Sequence, residues 1–550
     1  MNPDAYFIEQ VAEVVGGELI KGSGYVPCHL KHLLTDSRKI INAESSLFFA
    51  IKGSRRDGHA FIPELYRSGI RHFVVSENPD TSEFEEATFI VVSQPLRSMQ
   101  KLAAQHRMKF SLPVVGITGS NGKTIVKEWL FQLLKDRMNI VRSPKSYNSQ
   151  IGVPLSVWQI HRDNDLGIFE AGISKPGEME SLEEIIQPSV GIFTNIGEAH
   201  AENFSSIKQK VHEKLRLFNN CERLIYCKDY EAIHDSICDS ELASGKPQLF
   251  TWSKRSRADL QIGRISRSSA GTSIQGIHKN SFKDIHIAFT DDASIENSIH
   301  CWAYLLSEGY ADEYITEHMG LLSPVAMRLE MKEGVNNCSV INDSYNSDLG
   351  SLTIALDFMN QQKQHNNKSL ILSDILQSGK RDASLYAEVA SLVSQKGVSK
   401  LIGIGEHISE QEDLFDLEEK RFYPTTDAFL RDYNTNMFHN ETILVKGARV
   451  FGFERISRML QQKAHETVLE INLNALVHNL NFYRSRLHPE TKVMAMVKAL
   501  SYGSGSFEIA NMLEYHRVDY LAVAYADEGV ELRKAGVSLP IMVMSPEEPS

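Results

Sequence analysis

V-V-G-I-T-G-S-N-G-K-T, residues 114–124, runs from a short apolar β-type segment into K-E-W-L-F-Q-L-L, residues 127–134, which has the spacing of a helix. A strand that ends in a glycine-rich turn and then starts a helix is built to hold phosphate. Gly119 and Gly122 let the chain turn tightly, so that the N–H groups of Gly119, Ser120, Asn121 and Gly122 can face phosphate oxygens. The helix beginning near Lys123 adds the positive end of its dipole. In this reading Lys123 reaches the β- and γ-phosphates, and the Thr124 hydroxyl sits on Mg²⁺. Measured against G-x-x-x-x-G-K-[ST], Ile117 occupies the slot of the first glycine and Gly116 lies one residue earlier. The bland alternative is an ordinary glycine-rich strand-to-helix turn.

Working outward, P-V-V-G-I-T, L-G-I-F-E, S-V-G-I-F-T and R-L-I-Y-C are short β-rich runs separated by helical stretches. Such alternation predicts a parallel, doubly wound sheet. Residues 255–290 are polar and serine-rich and read as a small antiparallel insertion, with a helix near 292–309 closing the block. Upstream, S-L-F-F-A-I-K-G and R-H-F-V-V-S read as strands of a separate α/β unit. Downstream of Pro324, C-S-V-I-N-D, K-S-L-I-L-S-D, K-L-I-G-I-G and T-I-L-V-K-G begin a second alternating series. After a polar stretch at 461–466, T-V-L-E-I-N, K-V-M-A-M-V-K-A and D-Y-L-A-V-A-Y begin a third. The expected domains are 1–105, 106–320, 321–460 and 466–550, which suits 550 residues at roughly 100–200 residues per domain.

Composition narrows the partners. The 58 Lys and Arg against 70 Asp and Glu leave a formal net charge of -12, which argues against nucleic acid as a partner but not against a local basic pocket. Cys28, Cys221, Cys227, Cys238, Cys301 and Cys338 are scattered without a C-x-x-C pair. That is neither a disulfide framework nor a zinc site, and it fits a reducing compartment. The acidic N-terminal stretch does not read as a signal peptide. No run approaches the roughly 18 apolar residues of a membrane span, so a cytoplasmic protein is expected.

The loop G-S-N-G-K-T resembles the G-T-x-G-K-T loop of the Mur ligases, which build the peptide stem of peptidoglycan, and further segments follow in that family's order. They are T-D-S-R-K (35–39), L-F-F-A-I-K-G (47–53), D-G-H-A-F-I (57–62), Y-N-S-Q-I-G-V-P-L-S (147–156), F-E-A-G-I-S-K-P-G-E (169–178), F-T-N-I-G-E-A-H (193–200), L-S-P-V-A-M-R-L-E (322–330), N-D-S-Y-N-S-D (342–348) and L-V-K-G-A-R (444–449). The resemblance covers about 1–460. It implies a UDP-sugar-binding α/β domain, a central P-loop ATPase domain with a parallel sheet, and a C-terminal Rossmann-like domain. Within the family, N-D-S-Y-N-S-D resembles the stretch of those ligases that join D-alanyl-D-alanine to UDP-N-acetylmuramoyl-tripeptide. Ser347 and Leu349 stand where Ala and Pro are usual. Another Mur ligase step is the alternative; D-S-R together with F-F-A-I-K-G speaks against a folylpolyglutamate synthase.

The resemblance implies roles for individual residues. Ser37 and Arg38 would contact the UDP-sugar, and Asn297 the adenosine. Arg328, Asp343, Tyr345 and Asn346 would complete the ATP site from the C-terminal domain, with Lys446 and Arg449 on a loop facing the same cleft. Glu170 and His200, read as the ends of successive strands, would bind metal. Lys214 aligns with the lysine that Mur ligases carbamylate, where CO₂ turns a cation into an anionic oxygen donor; Lys208 and Lys210 are nearby rivals. Lys123, His200 and Lys214 are therefore the expected catalytic residues of the ligase, with ATP and Mg²⁺ as cofactors.

From 467 on, the chain resembles the start of alanine racemase. V-L-E-I-N-L-N-A-L-V-H-N-L (468–480) is similar to that family's first strand and helix, and M-A-M-V-K-A-L-S-Y-G-S-G (494–505) to its V-V-K-A-N-A-Y-G-H-G. This implies that Lys498 carries pyridoxal phosphate as an aldimine and that Tyr502 reaches the cofactor phosphate, while Leu500 and Ser504 depart from the pattern. The 85 residues from 466 on are far fewer than the about 250 of a (β/α)₈ barrel. They are expected to be the first part of a barrel in a longer ligase–racemase fusion, inactive as a racemase alone. An interaction segment, through which the chain dimerises, is the non-catalytic alternative.

Overall fold

The computed structural model describes residues 6–545, apart from 39, 41, 54–56, 145, 198–202, 241, 243–246, 269, 324, 326–329, 345–347, 363, 377, 379, 463–470, 489 and 504. The expected site residues His200, Arg328, Tyr345 and Asn346 therefore lie outside the described residues, as does most of V-L-E-I-N.

Four sheets follow one another along the chain. The first contains β1 (Glu18–Lys21), β2 (His32–Leu34), β3 (Ser46–Phe49), β4 (His72–Val75) and β5 (Thr88–Val91) in the order β1-β5-β4-β3-β2, with β1 antiparallel to β5 and the rest parallel. The helix Pro95–Arg107 runs across the expected boundary at 105 and packs on helices Gly152–Val157 and Glu178–Ile186. Its apolar face serves both domains.

The second sheet holds the phosphate loop. Its strands are β6 (Val114–Thr118), β7 (Ile140–Arg142), β8 (Leu166–Glu170), β9 (Val190–Phe193), β10 (Arg223–Cys227), β11 (Gln248–Ser253), β12 (Leu260–Ser268), β13 (Gly271–His278) and β14 (Ser281–Ile287). They lie in the order β14-β13-β12-β11-β10-β9-β6-β8-β7. Every residue of β6, β8 and β9 is buried, because helices cover both faces of a parallel sheet and leave no polar side to alternate with. Trp129, Leu130 and Leu133 of helix Lys123–Leu134 pack on one face with Ile295 and Trp302; Phe169, Phe193, Leu182 and Phe218 fill the other. The serine-rich stretch is antiparallel as expected, but it is no separate insertion. Its first strand, β12, pairs in parallel with β11, so the meander extends the main sheet.

The third sheet contains β15 (Glu330–Gly334), β16 (Cys338–Asp343), β17 (Asn367–Ser373), β18 (Lys400–Ile404), β19 (Glu419–Tyr423) and β20 (Glu441–Lys446), in the order β15-β16-β20-β17-β18-β19. Four of these strands were legible; β15 and β19 are edge strands too polar to stand out, β19 reading E-K-R-F-Y. The fourth sheet has three parallel strands, β21 (Met494–Met496), β22 (Tyr520–Val523) and β23 (Ile541–Val543). No described helix is long and apolar enough to cross a membrane.

Candidate functional site at the phosphate loop

Strand order decides where the site lies. β8 and β9 flank β6 on opposite sides, so the chain crosses over β6 between them. The crevice at the C-terminal ends of these strands is the topological switch point, where ligands bind in open α/β sheets. The loop 119–122 opens into it.

The loop is shaped by two left-handed glycines. Gly119 has φ +149° and Gly122 φ +82°; a Cβ on Gly119 would stand 1.9 Å from Thr194 Oγ1, and one on Gly122 2.2 Å from Asn297 Oδ1. The expected adenosine-contacting Asn297 is thus packed directly beneath the loop. Gly122→Ala combines this collision with a backbone conformation costing about 1–2 kcal/mol for an L-residue. It is expected to weaken ADP binding at least tenfold by calorimetry; wild-type affinity would show that the loop tolerates the change.

The segment after β9 anchors the loop. Ser120 N–H donates to Asn195 O at 2.9 Å and Asn121 N–H to Asn195 Oδ1 at 2.9 Å, while Thr194 Oγ1 donates to Asn121 O at 2.6 Å. Beneath this lies His300. Trp252 Nε1 donates to His300 Nδ1 at 3.1 Å, which leaves Nε2 to donate to Thr194 O at 2.8 Å. The imidazole is thereby a neutral Nε2–H tautomer, and burial pulls its pKa down to about 4.

Lys123 Nζ donates to Gly119 O at 2.7 Å and Ser120 O at 3.0 Å. Thr124 Oγ1 donates to Glu170 Oε2 at 3.0 Å and contacts Ser146 Oγ at 3.2 Å. The last residue of β8 and the first turn of the helix thus place a hydroxyl and a carboxylate side by side. Hydroxyl and carboxylate oxygens are the hard donors Mg²⁺ takes, which completes its octahedron with water and phosphate. Glu170 Oε1 faces the Lys127 ammonium at 2.9 Å, so it is Oε2, beside Thr124 Oγ1, that retains accepting capacity toward a divalent cation. These residues fit a Mg²⁺ ion. Among the described residues no three His, Cys, Asp or Glu side chains form a metal cage of their own. β9 ends at Phe193, and His200 lies outside the described residues.

Lys214 Nζ also donates to Gly119 O, at 3.1 Å, and Lys210 Nζ donates to Gly197 O at 2.6 Å. Burial, then the neighbouring Lys123 and Lys210 ammonium groups, push the Lys214 pKa well below the ordinary lysine value. Lys208 is no rival: its side chain is largely exposed and pairs with Asp239. Lys210 is the closer competitor, buried like Lys214.

The unit built on the third sheet reaches the loop as well. Gly350, in the first turn of helix Leu349–Gln361, lies so near that a Cβ there would stand 3.6 Å from Asn121 Nδ2. Asp343 and Lys446 are partners in register at the ends of β16 and β20 and form a buried ion pair of 2.7 Å. Arg449 begins a short helical turn just beyond. Ser37 and Arg38 lie elsewhere, in a turn after β2, where Arg38 forms a two-pronged ion pair with Asp36 and stays exposed. Lys498 and Tyr502 lie away from this loop, in the helical turn Lys498–Gly503 that follows β21. Lys498 directly follows Val497 after β21, and Ala499, Leu500, Ser501 and Tyr502 are all left-handed (φ 50–58°). Glu528 accepts the Ala499 N–H.

Sequence reasoning missed Lys127, Thr194, Asn195 and His300. Lys127 was visible as a lysine one turn after Lys123, and His300 as a histidine three residues after Asn297. Neither position announces its partner, which comes from a different strand.

The Mur ligase middle domain family matches residues 117–305, and the alanine racemase N-terminal domain family residues 471–550. A crystal structure of MurF from Acinetobacter baumannii superposes with a TM-score of 0.69 at 20% identity, covering 83% of this chain and 98% of that one. MurF ligase from Thermotoga maritima in complex with ADP gives 0.64 at 20% identity, covering 78% and 96%. The fold up to about residue 460 is the three-domain α/β fold of the Mur ligases. Among sequence relatives, the UDP-N-acetylmuramoyl-tripeptide–D-alanyl-D-alanine ligase of Bacillus subtilis (strain 168) is 26% identical over 462 residues, which is 82% of this chain and 98% of the relative.

Proposed function

We propose that the chain is an ATP-dependent ligase that joins D-alanyl-D-alanine to UDP-N-acetylmuramoyl-tripeptide in peptidoglycan precursor synthesis. The observation that carries this reading is the convergence of Lys123, Thr124, Glu170 and Lys214 on one loop, with the C-terminal ligase domain closing against Asn121. A carboxylate is a poor acylating agent, because an amine would have to expel oxide. Transfer of the ATP γ-phosphoryl group to the tripeptide carboxylate makes phosphate the leaving group, and the dipeptide amine then displaces it to form the amide. Such transfer depends on positioning and charge neutralisation, which the Lys123 ammonium and the N-terminus of helix Lys123–Leu134 supply, the Ser120 and Asn121 N–H groups being held by Asn195. Bound Mg²⁺ would add charge neutralisation at the phosphates, held by Thr124 and Glu170, with His200 as a further ligand. Asn297, Arg328, Asp343, Tyr345 and Asn346 would complete the nucleotide site, and Ser37 and Arg38 would meet the UDP-sugar. A closed crevice keeps water from the acyl phosphate.

Lys214 fits carbamylation. Burial, which lowers the Lys214 pKa, eases loss of its proton; the freed lone pair would add to CO₂ with loss of a second proton, and the carbamate would be an anionic oxygen donor for metal. The nucleotide substrates belong to the cytoplasm. The test is ADP release across UDP-muramoyl peptides and dipeptides. Release that requires UDP-N-acetylmuramoyl-tripeptide and D-alanyl-D-alanine together is expected; equal release with another amino-acid acceptor would move the chain to a different Mur step.

The second reading concerns residues 471–550, as part of a racemase module using pyridoxal phosphate. Its support is the left-handed run 499–502. Such backbone costs about 1–2 kcal/mol per residue and concentrates at functional sites. Lys498 would hold the cofactor, which supplies an electron sink, and Tyr502 its phosphate. An absorbance band that appears on adding pyridoxal phosphate and is lost in Lys498→Ala is expected. Absence of the band, with dimers lost on removing the segment, would favour an interaction module.

A further inference from the structure

Lys127 is a fully buried lysine that lies beside the candidate phosphate site. It lies four residues after Lys123, on the same face of helix Lys123–Leu134. Its Nζ is 2.9 Å from Glu170 Oε1 and 3.0 Å from Glu128 Oε1, and it donates to Ser143 O at 2.7 Å. Both Lys127 and Glu170 are wholly inaccessible to solvent. Glu128 has a second cation, since Arg142 Nε donates to its Oε2 at 3.0 Å. Arg142 therefore balances Glu128, and Lys127 is left to balance Glu170. The contact with Oε1 is ionic, while Oε2 takes the directed hydrogen bond from Thr124.

This arrangement solves a problem set by the reaction. A carboxylate that receives a metal only when nucleotide arrives must otherwise stay ionised and oriented away from water, and an isolated buried charge is costly. We propose that Lys127 is a positioning residue for the metal site: it holds one carboxylate oxygen of Glu170 so that the other stays beside Thr124, ready for the divalent cation of the incoming nucleotide. Groups behind metal ligands commonly govern metal affinity by tenfold or more. The inference rests on the ATP-site reading.

The experiment uses the full chain and Mn²⁺ as the spectroscopic probe, with ADP present. In Lys127→Met, Mn²⁺ affinity read by electron paramagnetic resonance is expected to fall at least tenfold. ADP binding without metal should hold, and KM for Mg²⁺ should rise while KM for the dipeptide does not. Glu128→Gln keeps an oxygen acceptor for Lys127 and should change Mn²⁺ affinity by less than about threefold. Unchanged or tighter Mn²⁺ binding in Lys127→Met would overturn the proposal. Should that variant not fold, a tenfold loss in Glu128→Gln overturns it, and near-wild-type affinity there supports it. Failure of the wild-type chain to bind Mn²⁺ with ADP would instead bring down the ATP-site reading, and this inference with it.

Discussion

Replacing Lys123 with alanine is expected to lower phosphate release by roughly 10³-fold with UDP-N-acetylmuramoyl-tripeptide, ATP and D-alanyl-D-alanine all present, as for loss of a preorganised charge at a transferring group. The size follows from where the ammonium stands. It folds onto Gly119 O and Ser120 O, at the rim that the β- and γ-phosphates would occupy. The loop should survive the change, because Asn195 holds the N–H groups of Ser120 and Asn121 independently of Lys123. Lost turnover with an unaltered melting temperature is therefore the expected pattern. Undiminished release would refute the assignment of this loop.

Acid should destabilise the protein over the range in which free histidine takes up a proton. Burial holds His72, His106 and His300 at a pKa of about 4, and His32 well below the ordinary histidine value. Each is depressed in the fold, so between about pH 6.5 and 4 the unfolded chain binds protons that the folded chain refuses, and stability falls as pH falls. For His300 the depression is worth about 3 kcal/mol at the acid end of that window. His72 and His32 act in the first domain, His106 in the connecting helix, and His300 in the central domain, so more than one unit should loosen. For His300 a drop in melting temperature of about 5–10 °C is expected between pH 7 and 4.5. His300→Gln, which no longer titrates, should flatten the central domain's share. A melting temperature that stays level over that range would show these imidazoles to be solvated.

The alternation of β-rich and helical runs was sufficient to read the parallel sheet of the central domain and the second alternating series, because a buried parallel strand is apolar on both faces and stands out from its surroundings. Edge strands β15 and β19 were not legible for the converse reason. Glycine spacing disclosed the phosphate loop, since at Gly119 and Gly122 a side chain would collide with Thr194 and Asn297. The resemblance singled out Glu170, Lys214 and Asn297, and the fold brings all three to that loop.

Local sequence alone determined where a phosphate can be held, because the turn, its glycines and the following helix are contiguous in the chain. What the tertiary structure alone decided is which distant groups complete it. Lys127 meets Glu170 only because β8 lies beside β6, and His300 reaches Thr194 only because its helix crosses the end of β9. Spacing along a chain carries no record of strand order, and strand order is what sets one buried charge against another.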